Sequence, residues 1–497
     1  MVDKSTFQID KMQNFSDWYN EIIRLAELVD MRYNVKGFIV YRPWSTISIK
    51  KIFQAFEDLL DADHHTPTIF PVVIPESNFE VEKDHVAGFA PEVLWVETGG
   101  SDKLEERLAL RPTSETAMYP LYALWVRSYR DLPLKHYQSG PVFRYETKAT
   151  RPFVRGREFW WIEAHDVFAS KEGAVSQVQK DLEISRIVLG QRLGIPLLQF
   201  QRPQWDKFAG ADETFVSDAL MPNGRFLQLP STHLLGQRFA KAFNIKFIDE
   251  QNNEQIAWQT CYGPGITRIY GGMIATHGDN KGLILPYWVA PVQIVIIPIL
   301  GKKANSELIL DKCKEFIDLF RKNSLRAEFD NSDARPGDKY YFWEMKGVPF
   351  RLEVGQRDID SKEYVVAIRD TGEKQKVSEK DLISFFKETG EQMITRLTTK
   401  AWDAVKDLIV NVPSLEELKT KISEGKACII PFCNMQMEAK ACAEKLKAET
   451  EGGDVRGRLV DEPDKDLFTI TKKPKSTEKC LACGKKATLY VYIGKQY

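Results

Sequence analysis

Apolar residues recur at helical spacing in four stretches of the N-terminal half of the chain. The i, i+3, i+4 period of these residues predicts helices over 14–30, 47–60, 115–126 and 176–193. Each of these helices has an apolar face and a polar face, which is typical of helices that cover a shared core.

Short apolar runs between these helices predict strands. The runs at 70–75 and 93–96 are predicted as short buried strands, and 140–143 is predicted as a strand that leads into a loop. Arginines and an aromatic residue return about one hairpin later, at 155–159. Helices that alternate with hairpins favour an α+β domain that extends to about residue 286.

A second pattern begins after a proline-containing segment at 286–291, which we interpret as a linker. Strands alternate there with helices, which predicts a small α/β domain with a mostly covered sheet. The predicted elements are a central strand over 292–300, a helix over 306–320, and strands over 350–354 and 364–368. Ser378 and Asp381 then form a capping-box pattern before a long helix, which leads into a cysteine-bearing third segment.

Length and composition indicate a multidomain globular protein. At 497 residues the chain predicts about three domains, which we place at 1–286, 287–395 and 396–497. The net charge is −1, so any RNA contact must come from a local patch. No apolar run reaches the roughly 20 residues that span a bilayer, and seven cysteines do not make a secreted disulfide framework. We therefore expect a cytoplasmic protein with reduced thiols and no membrane partner.

The most informative motif is a pair of arginines on the predicted hairpin. Arg144 follows the strand at 140–143, and Arg155 and Phe159 follow the loop. A guanidinium matches a phosphate or a carboxylate through two parallel hydrogen bonds, and a Phe ring can stack on a purine. A third arginine, Arg268, precedes an apolar run of small residues. Together these residues favour a nucleotide site over the alternative of solvated arginines on a surface hairpin.

Three motifs in order resemble those of the class II aminoacyl-tRNA synthetases. The hairpin at 143–159 resembles motif 2, the segment 263–268 resembles motif 3, and 37–44 resembles motif 1, whose proline lies at a dimer interface. Nearly the whole chain is also similar to the prolyl-tRNA synthetase family of archaeal/eukaryotic type, most clearly at 111–116, 161–165 and 346–355. The resemblance implies an α+β fold: an antiparallel-sheet catalytic domain, an α/β anticodon-binding domain and a small cysteine-bearing α/β C-terminal domain. It also implies a homodimer that uses ATP with Mg²⁺ to ligate L-proline to tRNA(Pro) through prolyl-adenylate.

The resemblance assigns a nucleotide role to the arginines. Arg144 would contact the α-phosphate and the proline carboxylate, Phe159 would stack on adenine, and Arg268 would cover the other adenine face and reach the γ-phosphate, which makes both arginines catalytic candidates. Glu146 would lie near the adenine amino group, with an ion pair to Arg144 as the alternative. The implied ATP-binding set is Arg144, Glu146, Arg155, Phe159, Gln228, Ser231, Thr267 and Arg268.

The resemblance also implies a proline pocket. Thr113 and Glu115 would accept hydrogen bonds from the secondary ammonium, and Trp161 and Phe208 would form apolar walls for the ring. The implied proline-binding set is Thr113, Glu115, Arg144, Trp161, Glu163, His165, Phe208 and His233. An isolated histidine is more often a packed residue, so both histidines of this set depend on the motifs that contain them.

Two segments depart from the family pattern. At 228–233 the family usually has Gln-Gly-Gly-Thr-Ser-His, whereas Leu229 and Pro230 replace the glycines here. Proline fixes its own φ and lacks an N–H, so the backbone of this segment is expected to differ from that of the family pattern. Motif 3 at 263–268 is one residue longer than the usual Trp-Gly-x-(Ser/Thr)-Thr-Arg and lacks its first hydroxyl.

The stretch between motifs 2 and 3 implies the absence of an editing domain. Residues 159–262 are too few to contain the large editing insertion of bacterial-type relatives. A pocket for proline does not strongly exclude alanine, because a missing methylene is worth only about 1–3 kcal/mol of discrimination. We therefore predict that the chain misactivates alanine and depends on editing in trans.

The second domain is implied to bind the anticodon. Proline anticodons share two guanines, and both arginine and carboxylate side chains can pair with guanine edges. The candidates are Glu344, Lys346, Arg351 and Glu353, and the alternative is a solvated strand face with alternating charges.

The third segment contains a candidate structural Zn²⁺ site. Cys480 and Cys483 form a Cys-x-x-Cys half-site. The other half is predicted as Cys433 and Cys442, because Cys428 and Cys433 lie on a predicted strand that would point them to opposite faces. The alternative is a degenerate site that packs without metal.

Two other functions stay open at the level of sequence. Threonyl-, glycyl- and histidyl-tRNA synthetases share the three motifs, although a threonyl enzyme needs a Cys-His-His zinc set that these pocket motifs lack. The second alternative is a catalytically inactive RNA-binding or regulatory subunit. Intact Arg144, Arg155 and Arg268 argue against that alternative.

Overall fold

The computed structural model describes residues 7–80, 93–301, 305–460 and 474–497. The strands, in chain order, are β1 Val29–Asp30, β2 Val40–Tyr41, β3 Thr66–Pro67, β4 Val73–Pro75, β5 Leu94–Gly99, β6 Asp102–Leu110, β7 Leu134–Phe143, β8 Glu158–Phe168, β9 Leu197–Gln201, β10 Glu213–Leu220, β11 Phe226–Gly236, β12 Lys246–Ile248, β13 Glu254–Ile256, β14 Trp258–Pro264, β15 Ile294–Ile299, β16 Ala327–Phe329, β17 Phe350–Gly355, β18 Glu363–Ile368, β19 Lys374–Ser378, β20 Ile409–Asn411, β21 Ala427–Phe432, β22 Asp454–Leu459 and β23 Leu489–Gly494.

The helices lie between these strands. They are Phe15–Leu25, Pro43–Ala62, Glu76–Glu80, Glu115–Trp125, Lys171–Ser185, Arg238–Ala242, Ile266–His277, Ser306–Lys322, Pro336–Met345, Gln356–Ser361, Leu382–Lys406, Leu415–Ser423 and Lys440–Glu449. A π-helical turn, Arg186–Arg192, continues the helix Lys171–Ser185. Within the described residues, none of these helices combines the length and apolar character needed to cross a bilayer.

An 11-stranded sheet forms the centre of the molecule. Its order is β20-β21-β23-β22-β9-β10-β11-β14-β8-β7-β3. From β9 to β7 every neighbouring pair is antiparallel, as the class II resemblance implied. At the other end, β22 pairs with β9 through Arg458 opposite Gln201 and Leu459 opposite Phe200. The cysteine-bearing segment therefore continues the catalytic sheet, which was not predicted.

A separate five-stranded sheet forms the second domain. Its order is β16-β15-β17-β18-β19, with β15 parallel to both of its neighbours and the remaining pairs antiparallel. The β-branched run of β15 lies inside the sheet, as predicted. Helices Ser306–Lys322 and Leu382–Lys406 cover the sheet with aromatic side chains that include Phe316, Phe320 and Phe386.

The helix Ile266–His277 packs almost completely within the catalytic domain. A Cβ on Gly271 would lie 2.7 Å from the Tyr19 hydroxyl and 2.8 Å from Phe153 Cβ. The small residue lets the helix approach the loop between β7 and β8 closely. Arg268, in the first turn of this helix, is thereby held next to the arginine-bearing hairpin.

Two predicted strands differ from the observed ones. Of the run at 70–75, only Val73–Pro75 is a strand, and within it only Ile74 is buried. The strand predicted at 93–96 is β5, which is partly exposed. Both lie at the edges of a small sheet, β4-β6-β5, where one flank is open to solvent.

Helix boundaries also differ from the predicted ones. The first helix ends at Leu25 rather than near 30, because Glu27 adopts a φ of 53° and the chain turns into β1. The side chain of Ser378 makes no capping hydrogen bond within the described chain, and a 3₁₀ turn, Glu379–Asp381, precedes the helix that starts at Leu382. That helix continues to Lys406 and so crosses the predicted domain boundary at 395.

Candidate active site

A cavity of about 480 Å³ lies on one face of the central sheet. Alternate residues of β8 and β10 line it, because successive side chains of a strand point to opposite faces, and residues of β11 and β14 complete the wall. The lining contains every residue that the sequence assigned to proline or ATP. These are Thr113, Glu115, Arg144, Glu146, Arg155, Phe159, Trp161, Glu163, His165, Phe208, Gln228, Ser231, His233, Thr267 and Arg268. Segments far apart in the chain thus meet in one site.

Arg144 lies where β7 leaves the sheet. Its Nε donates to the backbone oxygen of Pro112 at 3.1 Å. Its guanidinium carbon lies 5.3 Å from the ring centroids of both Phe159 and Trp161. A guanidinium at this distance from an aromatic face is attracted to it electrostatically. The half-buried side chain therefore faces the cavity rather than bulk water.

Arg268 approaches the same end of the cavity from the helix. Its Nε donates to the backbone oxygen of Val154 at 3.1 Å, and its Nη1 donates to that of Gln228 at 3.2 Å. Burial and the positive charges of Arg144 and Arg155 lower the pKa of Arg268 to about 10. The group stays charged at neutral pH, and the mutual repulsion of the three guanidiniums favours the binding of an anion between them.

Glu146 lies beside the second arginine of the hairpin. Its Oε2 is 3.6 Å from Arg155 Nε. The sequence left open an ion pair with Arg144, and the structure brings the carboxylate to Arg155. Phe159 stands next to this pair, with its ring at 81° to that of Trp161.

Two buried carboxylates face the other end of the cavity. Thr113 Oγ1 lies 2.6 Å from Glu163 Oε1 and 2.5 Å from Glu115 Oε2. Although burial opposes ionisation, the neighbouring His165 and hydrogen bonds from Ser114 and Thr113 lower the pKa of Glu163. Glu115 begins a helix, where the helix dipole favours a carboxylate. This end of the cavity is therefore anionic and suits a cation.

His165 lies beneath these carboxylates. Its Nδ1 is 2.9 Å from the Tyr119 hydroxyl, and its Nε2 is 3.7 Å from Glu163 Oε1. Nε2 has no hydrogen-bond partner among the described residues. Burial opposes protonation, but the carboxylates of Glu163 and Glu115 outweigh burial and raise the pKa of His165.

His233 has the opposite electrostatic setting. Its Nδ1 lies 2.9 Å from Thr214 Oγ1 and its Nε2 lies 3.1 Å from Ser231 Oγ. The Phe208 ring centroid lies 5.0 Å from that of the imidazole. Burial, together with the charge of His165, lowers the pKa of His233 to about 3. His233 is therefore neutral at physiological pH and acts as a hydrogen-bonding wall.

The departures from the family pattern fall at an irregularity of β11, whose register with β10 shifts between the pairs Val216–Ser231 and Asp218–Gln228. Pro230 lies inside β11 opposite Pro264, which is the last residue of β14, and Leu229 is buried. A missing N–H has little effect where the ladder with β14 ends. Gly265 then caps the helix that carries Thr267.

Sequence reasoning missed a buried ion cluster beside the arginine end. Arg456 Nη2 lies 2.6 Å from Asp218 Oδ2, and Arg202 Nη2 lies 3.5 Å from the same oxygen. Arg202 lines the cavity and donates to Gln228 Oε1 at 3.1 Å. Arg456 also donates to the side-chain oxygen of Gln496, which reaches the cavity rim. No motif marks this cluster, because Arg456 comes from β22 and meets the catalytic sheet only in the folded chain.

Cys261 was also missed. It lies on β14, lines the cavity, and its Sγ is 3.9 Å from Glu115 Oε1. Burial and the carboxylate of Glu115 raise the pKa of the Cys261 thiol, so the thiol is neutral. The proximity of Cys261 to the motif 3 segment in the sequence could have indicated a place in the cavity. No metal-ligand spacing marked this cysteine as a candidate.

Three of the four anticodon candidates lie together. Arg351 Nη1 is 3.0 Å from Glu344 Oε1, and Arg351 Nη2 is 3.2 Å from Glu353 Oε1. The guanidinium carbon lies 3.8 Å from the ring centroid of Tyr340. Arg351 is itself buried, so these charges are paired with one another in a largely enclosed group.

Lys346 lies apart from that group. Its Nζ donates to the backbone oxygen of Ala26 at 2.7 Å and to Glu27 Oε2 at 2.9 Å. The side chain is buried between the second domain and the N-terminal segment. The expected exposure to an anticodon is therefore not found for Lys346, because this contact between domains occupies its ammonium group.

The four predicted cysteines converge. The Sγ atoms of Cys433, Cys442, Cys480 and Cys483 lie within 4.8 Å of one another, and those of Cys433 and Cys442 are 3.8 Å apart. A tetrahedral Zn²⁺ with Zn–S bonds of about 2.3 Å separates its sulfur ligands by about 3.8 Å. The donor set therefore fits a structural zinc ion.

Family profiles match three consecutive parts of the chain. They are the tRNA synthetase class II core domain (G, H, P, S and T) over 94–277, the anticodon binding domain over 293–389, and the prolyl-tRNA synthetase C-terminal domain over 415–497.

Two relatives that match over nearly the full length are proline–tRNA ligases. The proline–tRNA ligase of Thermofilum pendens is 47% identical over 98% of each chain, and that of Methanosarcina mazei is 42% identical over 97% of each. Among solved structures, Giardia lamblia prolyl-tRNA synthetase in complex with prolyl-adenylate superposes with a TM-score of 0.93 at 38% identity, covering 99% of this chain and 100% of that one. The prolyl-tRNA synthetase of Cryptosporidium parvum, complexed with halofuginone and AMPPNP, gives a TM-score of 0.92 at 35% identity, with 99% of each chain covered.

These matches confirm the fold class and the family predicted from the sequence. They extend over the described residues of all three parts of the chain. The chain therefore belongs to the prolyl-tRNA synthetase family of class II aminoacyl-tRNA synthetases.

Proposed function

We propose that the chain ligates L-proline to tRNA(Pro) in two steps, with prolyl-adenylate as the intermediate. The observation that carries this proposal is one cavity with an arginine-rich end and a carboxylate-rich end. The first end suits a triphosphate and the second suits a secondary ammonium. Relatives that match over the full length are proline–tRNA ligases, and the Giardia protein binds prolyl-adenylate.

Proline binds at the carboxylate end. Glu115, Glu163 and Thr113 accept hydrogen bonds from its ring ammonium, and their mutual hydrogen bonds hold the acceptors in place before the substrate arrives. Trp161 and Phe208 enclose the apolar ring, since both line the cavity. A neutral His233 supports the wall without repelling the substrate cation, and His165 orients Glu163.

ATP binds at the arginine end. Arg144 contacts the α-phosphate and the carboxylate of the substrate proline. Its hydrogen bond to the backbone of Pro112 places it beside Thr113, at the carboxylate end of the cavity. Phe159 stacks on adenine, and Arg268 covers the opposite face of the base. Glu146, Arg155, Gln228, Ser231 and Thr267 complete the nucleotide contacts.

The first step requires alignment more than proton transfer. The ionised carboxylate of proline attacks the α-phosphorus, the bond to the β-phosphate breaks, and pyrophosphate leaves. Negative charge accumulates on the α-phosphate oxygens, and fixed guanidiniums such as Arg144 and Arg268 stabilise it more in the transition state than in the ground state. Mg²⁺ prefers oxygen ligands and would find them in the ATP phosphates and the carboxylates of Glu146 and Asp206, both of which line the cavity. When bound, it neutralises phosphate charge.

The second step transfers the prolyl group. A hydroxyl of the terminal tRNA ribose attacks the prolyl carbonyl carbon, and AMP leaves. Arg351, Glu353 and Glu344 bind the anticodon guanines, whereas Lys346 joins the anticodon-binding domain to the catalytic domain. The domains extend over 1–286, 287–395 and 396–497, with the helix Leu382–Lys406 shared across the last boundary.

The chain forms a homodimer in the cytoplasm through the region of motif 1. Support comes from a set of exposed apolar side chains around that motif: Met31, Tyr33, Val35, Val40 and Ile47. A dimer would cover these side chains. Light scattering should give the mass of a dimer, and Val40→Glu with Ile47→Glu should shift it toward that of a monomer.

ATP–pyrophosphate exchange tests the proposed function. Proline should support exchange, and threonine and glycine should not. Arg144→Lys should lower the exchange rate about 10²–10³-fold, as loss of a transition-state donor does, while Arg24→Lys on the exposed first helix should leave it unchanged. Exchange with threonine or glycine instead would favour a related synthetase. No exchange with any amino acid would favour the inactive RNA-binding subunit.

A further inference from the structure

We propose that the carboxylate end of the cavity also binds a thiophilic divalent cation such as Zn²⁺, in competition with proline. The ligands are Glu115, His165 and Cys261. The inference rests on the proposed function, because the same groups surround the position given to the proline ammonium.

The three side chains come from separate parts of the sheet and converge. The Cys261 Sγ, a carboxylate oxygen of Glu115 and a ring nitrogen of His165 lie within 4.8 Å of one another. Zn²⁺ with ligand bonds of about 2.0–2.3 Å holds such atoms about 3.5 Å apart. Metal binding therefore requires the three side chains to move closer together. Sulfur, imidazole nitrogen and carboxylate oxygen form a ligand set that zinc commonly takes.

The imidazole of His165 has one ring nitrogen that makes no hydrogen bond within the described part of the chain. His165 is 1% exposed, and its Nε2 makes no hydrogen bond to any described residue. A buried polar nitrogen without a partner is unfavourable, and a ligand at that position would satisfy it. Nδ1 is already held by the Tyr119 hydroxyl, so the imidazole is oriented in the way that partners outside the coordination sphere orient metal-bound histidines.

The charge of this end favours a cation. Glu115 and Glu163 are buried within hydrogen-bond distance of one hydroxyl, that of Thr113. Zinc binding would release the thiol proton to solvent and form a thiolate–zinc bond, so affinity should increase with pH.

Zinc and proline cannot occupy this end together. A zinc ion between Glu115 and His165 takes the acceptors assigned to the ammonium and places a divalent charge where that cation binds. We expect zinc to raise the KM for proline in ATP–pyrophosphate exchange without changing the KM for ATP. The cluster of four C-terminal cysteines would bind a separate zinc equivalent that proline does not affect.

Equilibrium dialysis of the full chain with ⁶⁵Zn²⁺ tests this site. The wild-type protein should bind two equivalents, and saturating proline should displace one of them. Cys261→Ser should lose the proline-displaceable equivalent and keep the other. Cys313→Ser, a matched variant at a buried cysteine of the second domain, should keep both.

A second measurement covers the case in which Cys261→Ser does not fold. Co²⁺ added to the wild-type protein should give a thiolate-to-metal absorption band, part of which proline should remove. Zinc binding that proline does not displace, or that persists in Cys261→Ser, would overturn the inference. Exchange activity in metal-depleted protein with excess Mg²⁺ reports the proposed function separately, so failure of the zinc site and failure of the proline assignment are distinguishable.

Discussion

Neutralising Asp218 should destabilise the chain and weaken its binding of ATP. The carboxylate is completely buried and lies 2.6 Å from Arg456 Nη2 and 3.5 Å from Arg202 Nη2. Because one carboxylate is shared by two guanidiniums, Asp218→Asn leaves Arg456 without this partner, while Arg202 keeps only Asp206 at 3.6 Å. The substitution preserves shape, so the loss is electrostatic.

The expected magnitude follows from the burial of this cluster. Removing one partner of a buried ion pair costs about 3–5 kcal/mol, since the remaining charge is left uncompensated. For a domain of 150–250 residues, each kcal/mol lowers Tm by about 2–4 °C, so Asp218→Asn should lower Tm by roughly 6 °C or more. Arg456→Met should cost less, because Asp218 then still neutralises Arg202.

Asp218→Asn should affect the KM for ATP and the KM for proline differently. Arg202 donates to the side chain of Gln228, whose backbone oxygen accepts from Arg268. Displacement of Arg202 therefore disturbs the nucleotide end and leaves the carboxylate end in place. We expect Asp218→Asn to raise the KM for ATP about tenfold in the exchange assay, with the KM for proline nearly unchanged.

A surface variant provides the control for this prediction. Asp403→Asn removes an exposed carboxylate that pairs with Lys406 and should change neither Tm nor KM. The reasoning is refuted if Asp218→Asn melts like the wild-type chain, or if it raises the KM for proline as much as that for ATP.

Four further predictions concern other parts of the molecule. Burial lowers the pKa of His277 to about 4 from an ordinary 6.5, so between these pH values the unfolded chain binds a proton that the native chain does not bind. The free energy of unfolding therefore falls as pH decreases through this range. His277→Gln should flatten the decline of Tm between pH 6.5 and pH 4. In the presence of saturating proline, a strong chelator or Cys483→Ser should release one zinc equivalent and lower Tm, whereas Cys313→Ser should release none. Purified protein should support alanine-dependent pyrophosphate exchange and should not hydrolyse Ala-tRNA; such hydrolysis would contradict the absence of editing. Arg351→Ala should raise the KM for tRNA in aminoacylation and leave exchange unchanged, while Lys346→Ala should lower Tm by breaking the contact between domains.

The cavity was predictable because its residues obey short-range rules. Along β8, Phe159, Trp161, Glu163 and His165 alternate with residues that face the other side, so one motif specifies one face of the sheet. The convergence of β8 with the motif 3 segment came from the resemblance, since periodicity within a strand does not identify its partner strand.

What was missed depends on pairing between distant segments. β22 joins β9 through main-chain hydrogen bonds, and a ladder of this kind leaves no residue-specific mark in either strand. Lys346 matched a family segment, but its burial depends on how the second domain packs against Ala26 and Glu27. The predicted capping box at Ser378 failed for a local reason, because a 3₁₀ turn separates the serine from the helix that it was expected to cap.

The continuous sheet also connects the cysteine cluster to the candidate active site. Cys433 follows β21 directly, and β21 is linked through β23 to β22, the strand that presents Arg456 to Asp218. A metal bound by these cysteines would therefore stabilise the same sheet that positions the ion cluster at the arginine end of the cavity. The C-terminal segment is therefore a continuous extension of the sheet that carries the arginine end of the cavity.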